Sequence, residues 1–141
     1  MLYEEDVIDA VCNHLQNTGH TIKQRLRPNQ RGDDIIAIEA SSGHEVYVEA
    51  KGETSSLSTS KGYGRAFDTA QCRDHVANAL YKAAATLQKA PASVTRHVGI
   101  ALPDTACHRA RIGDIADILR RLRITVFWVD AQKNVTLSTP L

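Results

Sequence analysis

The stretch "DIIAIEASSGHEVYVEAKG", from Asp34 to Gly52, decides the fold of this 141-residue chain. Its two ends, "DIIAIEA" and "EVYVEAK", are rich in β-branched and aromatic residues, and the "SSG" between them is typical of a turn. The stretch therefore predicts a β-hairpin, in which the start of the first strand lies beside the end of the second. Within the second strand, Glu49 and Lys51 are two residues apart, so their side chains share a face.

Helical spacing and apolar runs predict the other elements. The predicted helices run from Glu4 to Asn17, from Asp68 to about Lys89 and from His108 to Arg123, and the other predicted strands are "TIKQRLR" (Thr21 to Arg27), "HVGIALP", "ITVFWVD" and a short "NVTL". This order predicts an α/β sandwich whose mixed sheet begins with a β-meander and continues through helical crossovers. No repeat or linker interrupts it, so residues 1–141 are expected to form a single domain.

Composition narrows the class of protein. Hydrophobic content of 43% and charged content of 23% are ordinary for a globular chain. No apolar run has the length of a membrane span, and the acidic "MLYEEDVIDA" is unlike a signal peptide. Cys12, Cys72 and Cys107 form neither a zinc pattern nor a disulfide framework, which predicts a cytoplasmic protein. The net charge is +1, so a nucleic-acid-binding protein would have to concentrate its basic residues locally.

An oxygen-rich site is predicted at the end of the hairpin. Asp34 opens the first strand and should therefore lie near Glu49 and Lys51. Two converging carboxylates suit a hard cation such as Mg²⁺, which lowers the pKa of a bound water and neutralises a phosphodiester. A neighbouring lysine can hold or activate the attacking water. The other interpretation of Glu49 and Lys51 is a surface ion pair, which contributes little to stability.

The first helix carries a further acid. Glu4 falls within the apolar stripe of that helix, whereas Glu5 points to its flank. An acidic first turn complements the helix dipole. Alternatively, an acid on the buried stripe at a helix start could reach the sheet end as an additional ligand.

These residues carry a family resemblance. "GDDIIAI…VYVEAKG", after a Glu-bearing helix and before a long helix containing Gln71, resembles the PD-(D/E)xK nuclease superfamily, also called restriction-endonuclease-like. The likeness covers the chain from Glu4 to about Leu87. It implies a restriction-endonuclease-like three-layer sandwich, in which a mixed central sheet with an antiparallel β-meander is followed by α-β-α-β and carries helices on both faces.

The resemblance also implies roles for individual residues. The metal-binding acids of the family match Asp34 and Glu49, its catalytic lysine matches Lys51, and the helix acid of many members matches Glu4. The implied cofactor is Mg²⁺, for which Mn²⁺ can substitute. The family's proline is absent, and Asp33 stands in its place; we assign the metal to Asp34 because it leads directly into the strand.

Two further signals have structural explanations. A literal "PD" ends at Asp104, but no acid two residues before a lysine follows it, so we interpret Asp104 as capping or solvated at a helix entry. Some nucleases of this superfamily carry a glutamine near the active site, which Gln71 could match. However, Asp68 and Gln71 have capping-box spacing, and we favour that interpretation.

Two groups of basic residues could contact DNA phosphates without reading sequence. They are Lys23, Arg25 and Arg27 on one strand face, and Lys61 and Arg65 in the Gly/Ser/Thr-rich loop 52–66. The strand lysine and arginines could instead protect a sheet edge from aggregation. Because the loop begins directly after Lys51, we expect it to be mobile and to close over nucleic acid.

The sequence thus predicts a Mg²⁺-dependent phosphodiester hydrolase, an endonuclease-like enzyme that acts on DNA through a metal-activated water. An accessory protein that keeps the fold and binds nucleic acid without cleaving it is the alternative. A plain α/β domain in which Glu49 and Lys51 form only an ion pair is a third interpretation. Cutting both strands of a duplex would suit a homodimer, but no sequence feature identifies an interface.

Overall fold

A computed structural model describes residues 1–27, 30–55 and 63–139. Its elements follow each other as α1 (Glu4–Asn17), β1 (His20–Arg25), β2 (Ile35–Glu39), β3 (Glu45–Ala50), α2 (Thr69–Gln88), β4 (Arg96–Pro103), α3 (Ala106–Gly113), α4 (Ala116–Arg121), β5 (Ile124–Val129) and β6 (Val135–Leu137). Together the strands form a six-stranded mixed sheet in which the spatial order equals the sequence order. The predicted α/β class is therefore confirmed.

Helix α1 matches the prediction from the apolar stripe, whose members Val7, Ile8, Val11 and Leu15 are all buried. The carboxylate of Asp6 accepts a hydrogen bond from the backbone N–H of Tyr3, 2.9 Å away, which satisfies one donor at the helix start. Gly19 follows the helix with φ +89°, a left-handed conformation that glycine adopts without steric cost.

The predicted meander is present. Strands β1, β2 and β3 pair antiparallel, and β2 joins β3 through the turn at residues 40–42. The pairing of β1 with β2 shifts between Ile22 and Gln24, so a β-bulge lies at Lys23. A bulge adds one residue and reverses the alternation that follows it.

The bulge corrects the expectation that Lys23, Arg25 and Arg27 share one strand face. Arg25 instead lies on the face that α1 covers, where it forms ion pairs with Glu5 and Asp9 of that helix. Lys23 and Arg27 remain exposed.

Strands β3, β4 and β5 pair in parallel, and β6 returns antiparallel to β5. Crossover helices make the parallel connections, as parallel strands require. The third predicted helix is in fact two helices, since α3 ends at Gly113 and α4 begins at Ala116. Gly113 lies inside the predicted helix, and glycine is a weak helix former, so the chain turns there. Of the two interpretations of Asp104, the solvated one agrees with the structure, because Asp104 is exposed and pairs with Arg109 while Thr105 caps α3.

The core has two parts, one on each face of the sheet. On the first face α1 packs against the meander and the ends of β4 and β5. On the other face α2, α3 and α4 cover β4 and β5. No helix in the described part of the chain is long and apolar enough to cross a membrane.

One expectation about the cysteines is wrong. Cys72, near the start of α2, and Cys107, near the start of α3, form a disulfide, with Cα atoms 6.4 Å apart. Cys12 is free and buried in α1. The crossover topology brings the two helix starts side by side, which spacing along the sequence does not reveal. The prediction of a cytoplasmic protein consequently loses its support from the cysteines, because disulfides persist mainly in oxidising compartments.

Candidate functional site

Asp34 and Glu49 come together at the end of the β2–β3 hairpin. Ile35 pairs with Val48, which places the residue before Ile35 beside the residue after Val48. Asp34 is only 7% exposed, and its Oδ2 accepts a hydrogen bond from the backbone N–H of Ala50 at 2.8 Å. Glu49 is 6% exposed. The hairpin thus buries two carboxylates near each other.

Burial and repulsion act together on Asp34. Burial raises the pKa of its carboxyl, and the negative charge of Glu49 raises it further, to about 7. Ionising a buried carboxyl beside another is costly, and the hydrogen bond from Ala50 and the positive charge of Lys51 offset only part of that cost. A cation that bound here would relieve that cost.

Glu49 is already held by two ammonium groups. Lys51 places its Nζ 3.0 Å from Oε1 of Glu49, and Lys82, from the middle of α2, places its Nζ 2.9 Å from the same oxygen. The hydrogen bond to Glu49 raises the pKa of Lys82. Lys51 is largely covered, whereas half of the Lys82 side chain is exposed.

Glu4 approaches from the first turn of α1. Burial raises the pKa of its carboxyl, which the positive charge of Lys51 partly opposes. The approach depends on Gly52, because a Cβ atom there would lie 2.5 Å from the backbone nitrogen of Glu4 and 2.9 Å from the backbone carbon of Tyr3. Glycine therefore lets the start of α1 lie directly against the residue that follows Lys51.

The chain around Gly52 is fastened to the N-terminal residues. The backbone N–H of Glu53 donates to the carbonyl of Leu2 at 3.0 Å, and the carboxylate of Glu53 accepts from the N–H of Leu2 at 2.6 Å. The N–H of Phe67 donates to the carbonyl of Glu53, and Ser55 forms a bridge with Tyr63. Both ends of the loop 52–66 are thus held, while its central residues 56–62 lie outside the described part of the chain.

A cleft of about 1030 Å³ opens at this end of the sheet. Glu4, Asp34 and Gly52 lie in its wall, together with Arg27 and His75. Glu49 instead borders a second, small cavity with Asp33 and Lys82. The predicted site acids are therefore near one another but divided between two cavities. Within the described residues, no group of three or more His, Cys, Asp or Glu side chains is arranged to hold a metal ion.

The structure separates Asp33 from Asp34. Asp33 accepts a hydrogen bond from the hydroxyl of Thr86 on α2 at 3.3 Å, whereas Asp34 faces Ala50. Gln71 forms the predicted capping box, because its backbone N–H and side-chain oxygen both bond to Asp68 at 2.9 Å.

The predicted DNA-contacting residues do not form one group. Arg27 lies in the wall of the cleft, Lys23 is exposed at the bulge, and Arg65 is exposed on the loop. Arg25 is engaged by the acids of α1. Lys61 lies outside the described residues.

Sequence reasoning missed two residues of α2. His75 lies in the cleft wall, and its ring is 4.4 Å from the ring of Phe67. Its buried Nδ1 has no hydrogen-bond partner among the described residues. Burial lowers the pKa of His75, and the charge of Lys51 lowers it further. Lys82 is seven residues further along, which places both side chains on one face of the helix. The seven-residue spacing of these two polar residues within α2 was the sequence signal that could have identified them.

Neither a protein-family model nor a curated protein sequence matched the chain.

Proposed function

We propose that the protein is a metal-dependent nuclease that hydrolyses phosphodiester bonds in DNA, as the resemblance to the PD-(D/E)xK superfamily implies. One observation carries the proposal: Asp34 and Glu49 are buried beside each other at the end of the hairpin, with Lys51 bonded to Glu49. Buried carboxylates in mutual repulsion are unfavourable for stability, and such pairs are concentrated at functional sites.

The chemistry of these side chains fits a divalent metal. Asp34 and Glu49 would hold Mg²⁺, with Mn²⁺ as a substitute, and Glu4 would assist. These side chains are carboxylates, whose oxygen atoms are the ligands that Mg²⁺ prefers. The raised pKa of Asp34 and the two ammonium groups around Glu49 support this assignment, since each reflects a need for positive charge at this point. When bound, the metal would supply an activated water and neutralise the phosphate.

Lys51 and Lys82 would have different roles in the reaction. Lys51 is fixed against Glu49 and largely covered, so its ammonium can orient a water and stabilise negative charge that develops on the phosphate. Lys82 is half-exposed and can move away when a cation reaches Glu49. Its role in the resting protein is to neutralise that carboxylate.

The direct test is cleavage. Purified protein is incubated with single-stranded, duplex and branched DNA, in Mg²⁺ or Mn²⁺ and in EDTA. We expect metal-dependent cleavage by the wild type and by Lys89→Ala, a control at the exposed end of α2. We expect none from Glu49→Gln. Equal cleavage by wild type and Glu49→Gln would overturn the proposal.

A second function is favoured by one observation. Because Lys51 and Lys82 both bond to the same oxygen of Glu49, the ammonium groups could occupy a metal position permanently. The protein would then be an accessory subunit that binds nucleic acid without cleaving it. Calorimetric titration with Mg²⁺ separates the two functions, because the accessory protein would show DNA binding without a metal site at Asp34 and Glu49.

A further inference from the structure

Two tyrosines stand beside the acids in the wall of the cleft. Tyr3 immediately precedes Glu4, and Tyr63 belongs to the loop 52–66 and lines the same cleft. Their ring centroids are 6.5 Å apart and their planes differ by 23°. A hydrogen bond with Tyr63 raises the pKa of the Tyr3 hydroxyl. The two rings therefore form a nearly parallel pair, which we name the tyrosine pair.

The tyrosine pair is available to a ligand and held near the acids. Tyr63 is 47% exposed, so its ring is accessible to a ligand. Tyr3 is anchored through the start of α1, and Tyr63 through its bridge to Ser55. Both anchors are only a few residues from Glu4 and Lys51.

The described lining of the cleft offers few cationic groups to a duplex. Among its described lining residues, Arg27 is the lysine or arginine that accompanies five acids, namely Glu4, Glu5, Asp6, Asp9 and Asp34. The charges of Glu5 and Asp9 are paired with Arg25 and that of Asp6 with Lys133, so these cations are already engaged by protein carboxylates. Duplex DNA presents two strands of phosphates and needs many cationic contacts. A single strand can instead gain affinity from bases stacked on aromatic rings, which does not depend on neutralising phosphates.

We propose that the tyrosine pair binds an unpaired base of single-stranded DNA by stacking, and so selects substrates that are single-stranded beside the cleavage site. The inference rests on the proposed nuclease function and adds its substrate class. Stacking on a ring tolerates any base because every base has a π-face, so no sequence preference is expected from this contact.

The test compares binding by matched variants in Ca²⁺. The ligands are a fluorescently labelled single strand and a hairpin duplex of the same length. We expect the wild type to favour the single strand, and Tyr63→Leu to weaken single-strand binding by about 5- to 150-fold. Tyr63→Phe, which keeps the ring, should retain binding. Tyr81→Leu is the control, because Tyr81 is 77% exposed on α2 and does not line the cleft.

A spectroscopic readout reports stacking itself. A single strand that contains 2-aminopurine should lose fluorescence on binding to wild type and to Tyr63→Phe, but not to Tyr63→Leu. Thermal melting establishes that each variant is folded. Single-strand binding by Tyr63→Leu at the wild-type level, or tighter binding of the duplex, would overturn the inference.

The outcomes separate this inference from the proposed function. Metal-dependent cleavage of DNA with no effect of Tyr63→Leu would leave the nuclease standing and remove the stacking site. Loss of single-strand binding in Tyr63→Leu, in a protein that cleaves no DNA, would support the stacking site and remove the nuclease.

Discussion

At the scale of single residues, substitutions of Lys51 and of the site acids should impair metal binding and cleavage in different ways. Asp34→Ala or Glu49→Ala should weaken Mg²⁺ binding and abolish cleavage together. Lys51→Ala should retain metal and DNA binding but lose most of kcat, because it removes help given chiefly in the transition state. Metal titration and single-turnover cleavage measure the two effects separately.

Stability provides the control for these substitutions. When Lys51 is removed, Glu49 keeps the ammonium group of Lys82, so Lys51→Ala leaves no unpaired buried carboxylate and should remain folded. Wild-type rates in both Lys51→Ala and Glu49→Ala would mean that this end of β3 is structural.

Asp34 should make the metal-free protein less stable as the pH rises. In the unfolded chain its carboxyl titrates near 3.8, and in the folded chain near 7. Below pH 3.8 both states hold the proton. Between the two values only the folded state holds it, so the free energy of unfolding falls as pH rises and levels off above pH 7.

Asp34→Asn removes this dependence while keeping an oxygen for the N–H of Ala50. In EDTA at pH 8, we expect the variant to be more stable than the wild type by an amount on the order of 2–4 kcal/mol, and the two to converge toward pH 4. Urea denaturation at both pH values measures the difference. A gap that stays constant with pH would contradict the burial of an ionisable Asp34, and Mg²⁺ should narrow the gap by stabilising the wild type.

At the scale of elements, Gly52 controls where α1 begins relative to the sheet. A Cβ atom at Gly52 would overlap the backbone of Tyr3 and Glu4, and backbone cannot rotate aside as a side chain can. We expect Gly52→Ala to cost about 1–3 kcal/mol and to lower cleavage by displacing Glu4. Urea denaturation and cleavage assays measure these effects.

Gly113→Ala is the matched control, because a Cβ atom at Gly113 meets no atom within 4 Å. It should be neutral or slightly stabilising. Equal stability of the two variants would show that α1 adjusts to Gly52→Ala without strain.

Regular elements were predictable where local pattern and packing agree. The stripe of α1 and the turn residues of the hairpin predicted both elements, and the hairpin pattern also predicted that Asp34 and Glu49 would meet. The bulge at Lys23 was not predictable, because one unpaired residue leaves the composition of a strand unchanged and only reverses which face each side chain occupies. Arg25 was therefore placed on the wrong face.

Contacts between distant elements were the other failure. Lys82 reaches Glu49 only because α2 crosses the sheet at that point, and Cys72 meets Cys107 only because two helices start side by side. Both depend on how helices pack rather than on any local pattern. The polar spacing of His75 and Lys82 on α2 was visible in the sequence, but it does not identify the partner.

At the scale of the whole molecule, the disulfide ties α2 to α3 and closes a loop of 35 residues that contains β4. Constraining a loop of this size in the unfolded chain stabilises a protein by about 2–4 kcal/mol. We expect a dithiol reductant to lower the free energy of unfolding of the wild type by this amount. The double variant Cys72→Ala, Cys107→Ala should not respond to reductant, whereas Cys12→Ala should respond as the wild type does.

Denaturation curves with and without reductant test this expectation. Because neither Cys72 nor Cys107 lines the cleft, loss of the disulfide should affect stability more than cleavage. A wild-type curve that does not move with reductant would show that Cys72 and Cys107 are not joined in solution.

The order of the sheet bears on how the protein is assembled. Ala37 of β2 pairs with Val46 of β3, nine residues further on, whereas Val46 pairs with His97 of β4, which is 51 residues further on. Short closures cost less chain entropy than long ones, so the hairpin can form before the parallel strands are added. Pulse-labelled hydrogen exchange during refolding should show protection of Ala37 and Val46 ahead of β4. Asp34 and Glu49 would then be neighbours early in folding, before α2 brings Lys82 to them. The repulsion between their carboxylates would be screened first by water and only later by the rest of the chain.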